Sequence, residues 1–237
     1  MAKVFQVDTG GTLTTDLVSY YKLEDINDFY STNHLTNNGG ATFVAGKVNN
    51  AVSLDGTSQF LDRANVLSAQ TANISMFMWV YISGTSVHGT FAHNGSNAGD
   101  GDGFSLGVGN TNFDTSGNNL IGLLDAVVWM NFGTAIGTGW HFVGITRDAT
   151  TWKGWIDNVQ AANTFTNNPS TPTAAFTIGR DTTGSTRYFA GDVDELGFWN
   201  KELIAQEKTD LYNGGTGQTM IESEVGTNQL LNLLGVQ

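Results

Sequence analysis

Short apolar runs recur along this chain, separated by clusters of Gly, Asn, Asp, Ser and Thr. Leu17-Val-Ser-Tyr-Tyr-Lys-Leu23 has the bulk of a strand. Ala51 to Asp55 and Gln59 to Asp62 flank Asp55-Gly56, a dipeptide suited to a tight turn, and predict a β-hairpin. Ile74 to Ile82 is apolar almost without interruption, as expected of a strand buried on both faces. Phe104 to Val108 and Leu120 to Phe132 supply further strands. Trp140 to Arg147 alternates, breaks at Asp148-Ala-Thr-Thr151 and resumes at Trp152 to Asp157, which predicts a second hairpin. Phe176 to Arg180 leads towards the last strand. In that strand Val193, Leu196, Phe198 and Trp199 supply the bulk, and Asp192, Asp194 and Glu195 lie among them. The only helical spacing follows, in Leu203, Ile204, Glu207, Leu211 and Tyr212, with a stop at Asn213-Gly214-Gly215. There is no solenoid-type repeat. Many short strands with turn-rich connections indicate an all-β sandwich.

Composition narrows the class. The 237 residues suit one large β domain, and 40% hydrophobic residues can fill its core. Thirty glycines against two prolines mark turns and close backbone approaches rather than a rigid linker. Ten basic residues face twenty-two acidic ones, for a formal charge of -12. Such a surface repels nucleic-acid phosphates and anionic membranes, and it is compatible with calcium. No nucleic-acid partner and no membrane insertion are expected. There is no cysteine, so neither disulfides nor thiol chemistry enter. The first ten residues lack the apolar core of a secretory signal, and no run reaches the roughly 18 apolar residues of a membrane span.

Ordered motifs carry a family resemblance over residues 16–215. Leu17 to Leu23 with Asp25 and Asp28 resembles an opening strand and acidic loop. Gly46-Lys-Val-Asn-Asn-Ala-Val-Ser-Leu-Asp-Gly56, the tryptophan strand at Ile74 to Val80, Gly154-Trp-Ile-Asp-Asn158, and Gly191-Asp-Val-Asp-Glu-Leu196 with the following helix resemble later signatures. Together they resemble laminin G-like domains of the concanavalin A-like lectin/glucanase superfamily. The resemblance implies a jelly-roll sandwich of two antiparallel sheets with one short C-terminal helix. Residues 1–15 then form an N-terminal arm and 216–237 a tail, whose Leu230, Leu231, Leu233 and Leu234 would tuck onto the domain or dock on a neighbour. The family's helix opens with Leu-Ser-x-x-Glu. Here Ile204 takes the Ser position, so the capping box is lost although Glu207 remains, and Asn200 is an alternative cap.

The resemblance also implies a structural calcium between the acidic loop and the last core strand, with Asp28 and Asp194 as ligands and Asp25 and Asn27 nearby. Against it stands a carboxylate bonded to loop amides or paired with Arg180 or Arg187. Asn94, Asn97, Asp100 and Asp102 lie in a glycine-rich stretch without EF-hand spacing. Jelly-roll glucanases carry Glu-x-Asp-x-x-Glu, which is absent, and four of the six glutamates lie in the helix or tail. No enzymatic activity is expected. His88 and His93 have no metal-site spacing. Trp129, Trp152 and Trp155 could offer stacking faces to a sugar, with core packing as the competing role for each.

Two functions follow. The first is a non-enzymatic structural or decoration protein on a virion surface, partnered by capsid or tail proteins and open to homo-oligomerisation. The alternative is an extracellular carbohydrate-binding lectin or adhesin that recognises a surface glycan, with or without calcium.

Overall fold

The computed structural model describes residues 1–96, 101–182 and 187–223. Among these residues seventeen strands, one α-helix and a 3-10 turn at Asn213–Gly215 follow in chain order. The first six are β1 (Ala2–Phe5), β2 (Leu17–Tyr21), β3 (Thr36–Asn38), β4 (Thr42–Ala45), β5 (Asn50–Asp55) and β6 (Phe60–Arg63). Next come β7 (Asn73–Ile82), β8 (Gly89–Ser96), β9 (Asp102–Gly109), β10 (Asn119–Leu124), β11 (Val128–Ala135) and β12 (Gly139–Asp148). The last are β13 (Trp152–Ile156), β14 (Val159–Phe165), β15 (Phe176–Ile178), β16 (Ala190–Trp199), helix α1 (Ala205–Tyr212) and β17 (Met220–Ser223).

Two antiparallel sheets form the sandwich. The first runs β14-β13-β12-β7-β16-β5-β4, with β2 also paired to β16. The second runs β11-β10-β9-β8-β15-β6-β3. Strand β16 organises the first sheet. One edge pairs with β7, while the other pairs with β5 from Ala190 to Val193 and with β2 from Leu196 to Trp199. Between the sheets lies the main core, where Met76, Met78, Val80, Val143, Val193 and Phe198 face Phe91, Phe104, Leu106, Phe132 and Phe176.

The outer face of the first sheet is also buried. Phe77, Trp79, Phe142, Tyr20 and Trp199 form a second core with Phe5, Leu13, Leu203, Leu211 and Met220. This explains the unbroken apolar run of β7: its inward residues meet the other sheet and its outward ones meet a covering layer. That layer consists of the N-terminal arm, α1 and the two-stranded sheet of β1 with β17. Phe5 sits edge-on to Tyr20 at 4.9 Å and stacks near Trp199 at 6.3 Å. The Trp199 indole donates to the Leu13 carbonyl at 2.7 Å. Two glycines make room for these rings. A Cβ on Gly144 would lie 2.1 Å from Phe77, and one on Gly197 2.1 Å from Trp199.

The hairpin predicted at 51–62 does not form. β5 belongs to the first sheet and β6 to the second, so Asp55-Gly56 turns the chain from one sheet to the other. The Asp55 carboxylate accepts from the amides of Thr57, Ser58 and Gln59 and organises this corner. A strand-turn-strand pattern has the same local chemistry whether its arms pair or cross between sheets. The hairpin of β12 with β13 forms as expected. The next turn places Asp157 and Asn158 at φ 50° and 64°, the left-handed pair that a two-residue hairpin loop requires. Helix α1 starts at Ala205. The Glu207 carboxylate accepts from the Ile204 amide at 2.9 Å, so half of the capping box survives. Asn200 does not cap it; its side chain instead accepts from the Ser68 hydroxyl. Asn213 closes the helix in the left-handed conformation. Of the predicted tail, the part up to Ser223 is described, and the leucines at 230–234 lie outside the described residues.

Two substitutions test this layered packing. Gly144→Ala overpacks the Phe77 ring and is expected to cost about 1–3 kcal/mol in urea denaturation. Phe5→Ala empties the space between Tyr20 and Trp199 and is expected to cost about 3–5 kcal/mol, with the m-value unchanged if the arm stays docked.

Candidate functional site

The junction where β5 and β2 meet along β16 carries the strongest electrostatic anomaly of the molecule. The register slips between Asp194 and Gly197, and Glu195 adopts φ 49°. This left-handed residue breaks strand alternation. Simple alternation would point Glu195 away from Asp194, as the sequence suggests. The bulge instead brings the two acids close enough to interact. Asp194 is fully buried and Glu195 is 5% exposed. The Tyr20 hydroxyl donates to Glu195, and the Val48 amide donates to Asp194 at 2.8 Å. Among the described residues, one oxygen of each acid, Asp194 Oδ1 and Glu195 Oε1, is buried without a hydrogen-bond partner.

Burial dominates the ionisation of this pair. It pushes the Asp194 carboxyl up to about 7, with amides of the 47–48 loop opposing and Glu24 adding to the rise. Burial, and then the neighbouring Asp194 charge, hold Glu195 well above the usual carboxylate range. Tyr20 is raised for the same reasons, burial first and Glu195 second. Two adjacent buried carboxylates cannot both be charged without a counter-charge. Neither Arg180 nor Arg187 supplies it. Arg187 pairs with Asp114 at 2.9 Å and Asp181 at 2.8 Å, and Arg180 forms no ion pair among the described residues.

The opening acidic loop lies next to this junction. Asp28 is buried, and its two oxygens accept from the amides of Tyr20, Tyr30, Ser31 and Asn33 and from the Ser31 hydroxyl. Its lone pairs are committed to the loop. Asp25 is exposed and accepts from the backbone and side chain of Asn27, both at 2.7 Å. A surface hollow of about 300 Å³ opens here, lined by Lys3, Lys22, Glu24, Asp25, Asn27 and Phe29 among others. Among the described residues no three His, Cys, Asp or Glu side chains group as a metal site, so Asp25, Asp28 and Asp194 do not form one cluster. The donor atoms that suit a hard cation are the orphaned oxygens of Asp194 and Glu195.

The other candidates separate. Asp102 accepts from Thr173 and from the Ser96 amide, and Asn94 bonds the backbone of Leu67 and Ser68. Asn97 and Asp100 lie outside the described residues. His88 lies near the Ser116 hydroxyl, and buried His93 accepts from the Thr182 amide.

The three tryptophans have different fates. Trp152 is fully buried in the main core against Phe104, with its indole donating to the Asn167 carbonyl, and it presents no stacking face. Burial on the inward face of β13 is the reason, and the ligand role expected for it is withdrawn. Trp155, on the outward face, is half-buried with the Lys208 ammonium over its ring at 4.2 Å. Trp129 lies on the outer face of the second sheet, half-buried, with Arg187 over its ring at 5.1 Å and Phe113 edge-on at 4.9 Å. Cross-strand register places Thr36, Asp62, Thr177, His93, Ser105, Leu123 and Trp129 in one row across that face. At its far end Phe60, Arg180 and Tyr188 form a second, half-exposed aromatic group. The sequence reading missed this group because its members come from two distant segments.

Comparison with known proteins agrees with this architecture. Residues 55–207 match a laminin G-type family of the concanavalin A-like lectin/glucanases superfamily. No curated protein sequence matches the chain. Domain 4 of AbnA, an extracellular arabinanase from Geobacillus stearothermophilus solved with arabinotriose, superposes with a TM-score of 0.64 at 21% identity, covering 82% of this chain and 97% of that one. The binding domain of Paraclostridial Mosquitocidal Protein 1 gives a TM-score of 0.65 at 12% identity, covering 86% of this chain and 53% of that one. The binding domain of Botulinum Neurotoxin DC, solved with SialylT, gives 0.64 at 11% identity, covering 85% and 52%. The chain thus spans about half of each toxin domain, and at these identities the likeness is one of fold. The two-sheet sandwich, the bulged last strand with its following helix, and the matched profile together make this chain a member of the concanavalin A-like lectin/glucanases superfamily.

Proposed function

We propose that the chain is a carbohydrate-binding module, and that it binds through the outer face of the second sheet. The observation that carries this reading is the presence of half-exposed rings at both ends of that face, with the accessible polar groups Thr36 and Asp62 beside Phe60; Thr177, His93, Ser105 and Leu123 in the middle of the row are buried. Trp129 stands at one end of the cross-strand row, and Phe60 with Tyr188 at the other. Sugars are recognised by ring stacking together with hydrogen bonds to hydroxyls, and such an arrangement supplies both. The carbohydrate-bound domain of the arabinanase, which shares the fold over nearly its whole length, supports the same reading. The virion role expected first rested on the arm and tail around a sandwich, not on any side chain. The arm packs on its own domain, which leaves the glycan reading with the better support.

Calcium enters this proposal as a structural ion. Asp194 would supply its orphaned oxygen, with Glu195 beside it and backbone carbonyls completing the shell. The ion would neutralise the buried pair and hold the acidic loop against β16. It plays no part in sugar recognition on the opposite sheet.

Two measurements test these statements. Trp129→Ala should weaken binding to any glycan found on an array by about tenfold or more, while the variant stays folded with the main core untouched and loses only the Phe113 and Arg187 contacts. Unchanged binding would remove Trp129 from the site. For the ion, the sign follows from linkage. A carboxyl raised from 3.8 to about 7 binds its proton more tightly in the folded state, so its contribution to stability is lost as pH rises between those values. Asp194→Asn should therefore match the parent protein near pH 4–5 and exceed its melting temperature at pH 8 in chelator. Added calcium should stabilise the parent at pH 8 and leave the variant unmoved. A parent melting temperature indifferent to calcium at pH 8 would dismiss the ion.

A further inference from the structure

Arg180 has an environment unlike that of the other three arginines. Arg187 is paired with two aspartates. Arg147 donates to the Thr71 carbonyl and the Asn168 amide oxygen, and Arg63 donates to the Val66 carbonyl at 2.6 Å. Among the described residues Arg180 makes one side-chain hydrogen bond, a 3.2 Å contact from Nη1 to the Tyr188 hydroxyl. Its guanidinium lies 3.6 Å from the Phe60 ring centroid and 5.8 Å from that of Tyr188. Its Nε is buried without a partner. Arg63 and Arg147 also lack a carboxylate among the described residues, but carbonyl or amide oxygens occupy their heads, whereas the half-exposed Arg180 head has the Phe60 ring and one hydroxyl.

The backbone holds this group in place. The Gly179 amide donates to Phe91, and the Phe189 amide donates to Gly179, both at 2.9 Å. Thr177 Oγ1 donates to the Arg180 carbonyl at 2.5 Å. The Phe60 ring then lies against the head and the Tyr188 hydroxyl accepts from Nη1, so its fork is oriented before any ligand arrives. A stacked, oriented guanidinium with unused N–H donors is the receptor that a planar oxyanion requires. The aromatic rings beside it are the surface that a sugar ring requires.

We propose that Arg180, between Phe60 and Tyr188, recognises an oxyanion carried by a sugar, so that the glycan bound on this face is an acidic one. This rests on the carbohydrate-binding reading and specifies its ligand. The overall negative charge adds a constraint. Long-range repulsion disfavours a polyanionic chain, whereas one carboxylate or sulfate in direct contact is little affected. The ligand is therefore a glycan bearing an isolated acidic group.

The test is a glycan array of neutral, carboxylated and sulfated oligosaccharides, read with the parent protein, Arg180→Gln and Arg180→Lys. Melting temperatures within a few degrees of the parent would show both variants folded. The expected result is binding to singly charged acidic glycans that falls by about tenfold or more in Arg180→Gln and recovers only in part in Arg180→Lys, which keeps the charge without the fork. Whether carboxylated or sulfated members respond identifies the source of the oxyanion. Binding confined to neutral glycans and equal in all three proteins would overturn the Arg180 site and leave the carbohydrate-binding reading standing. Absence of binding to every glycan would overturn both. Should Arg180→Gln fail to fold, Phe60→Leu removes the stacking partner, and unaltered selection of acidic over neutral glycans in that variant would also refute the proposal.

Discussion

Burial of both faces of β7 and β16 is the constraint on which the rest of the structure depends. A sheet in a two-layer sandwich normally leaves one face to water. Here the outward rings of Phe77, Trp79 and Trp199 would remain exposed without a third layer. The arm, α1 and β17 supply that layer, and the chain brings its first strand onto β17 to do so. Glycines at 144 and 197 leave the space that the rings occupy. The terminal segments are therefore part of the folded unit through Ser223. The polar side chains of the covering layer are consistent with this: Asp210 accepts from Thr9, and Glu207 from Thr12 and Lys201.

The same burial produces the carboxylate pair. β16 exchanges one neighbour, β5, for another, β2, halfway along its length, and the bulge sits at that exchange. A left-handed glutamate is a strained choice, and it places a second acid beside Asp194 beneath the covering layer. Protonation or a cation relieves the resulting repulsion. The energetics of this corner are thus tied to pH.

The two outer faces of the molecule differ in what covers them. The outer face of the first sheet is covered by the arm, α1 and β17 except at its Tyr81–Trp140 end. The outer face of the second carries half-exposed rings, a twice-paired arginine over Trp129 and an arginine without a carboxylate between Phe60 and Tyr188. The accessible rings of the second face lie at its two ends, while Thr177, His93 and Ser105 between them are buried.

Strand content, the β12–β13 hairpin, the terminal strand with its helix and the superfamily were all legible in the chain, because apolar alternation and turn residues are local signals. The double burial of β7 was legible too, from an apolar run without alternation. Other features depended on partners distant in sequence. The Asp55-Gly56 corner reads as a hairpin until sheet membership is known. Trp152 and Trp155 have similar surroundings in sequence, yet one is sealed in the core and the other faces outward. Asp28 resembles a cation ligand in the chain and is saturated by its own loop in the fold. Strand alternation points Glu195 away from Asp194, and a bulge at a non-glycine residue leaves no local mark in the sequence. Arg180 gains its meaning only from Phe60, which arrives from a strand far earlier in the chain. Local patterning encodes which segments become strands. Which side chains meet, and which charges lose their water, is decided by the packing of segments that sequence order keeps apart.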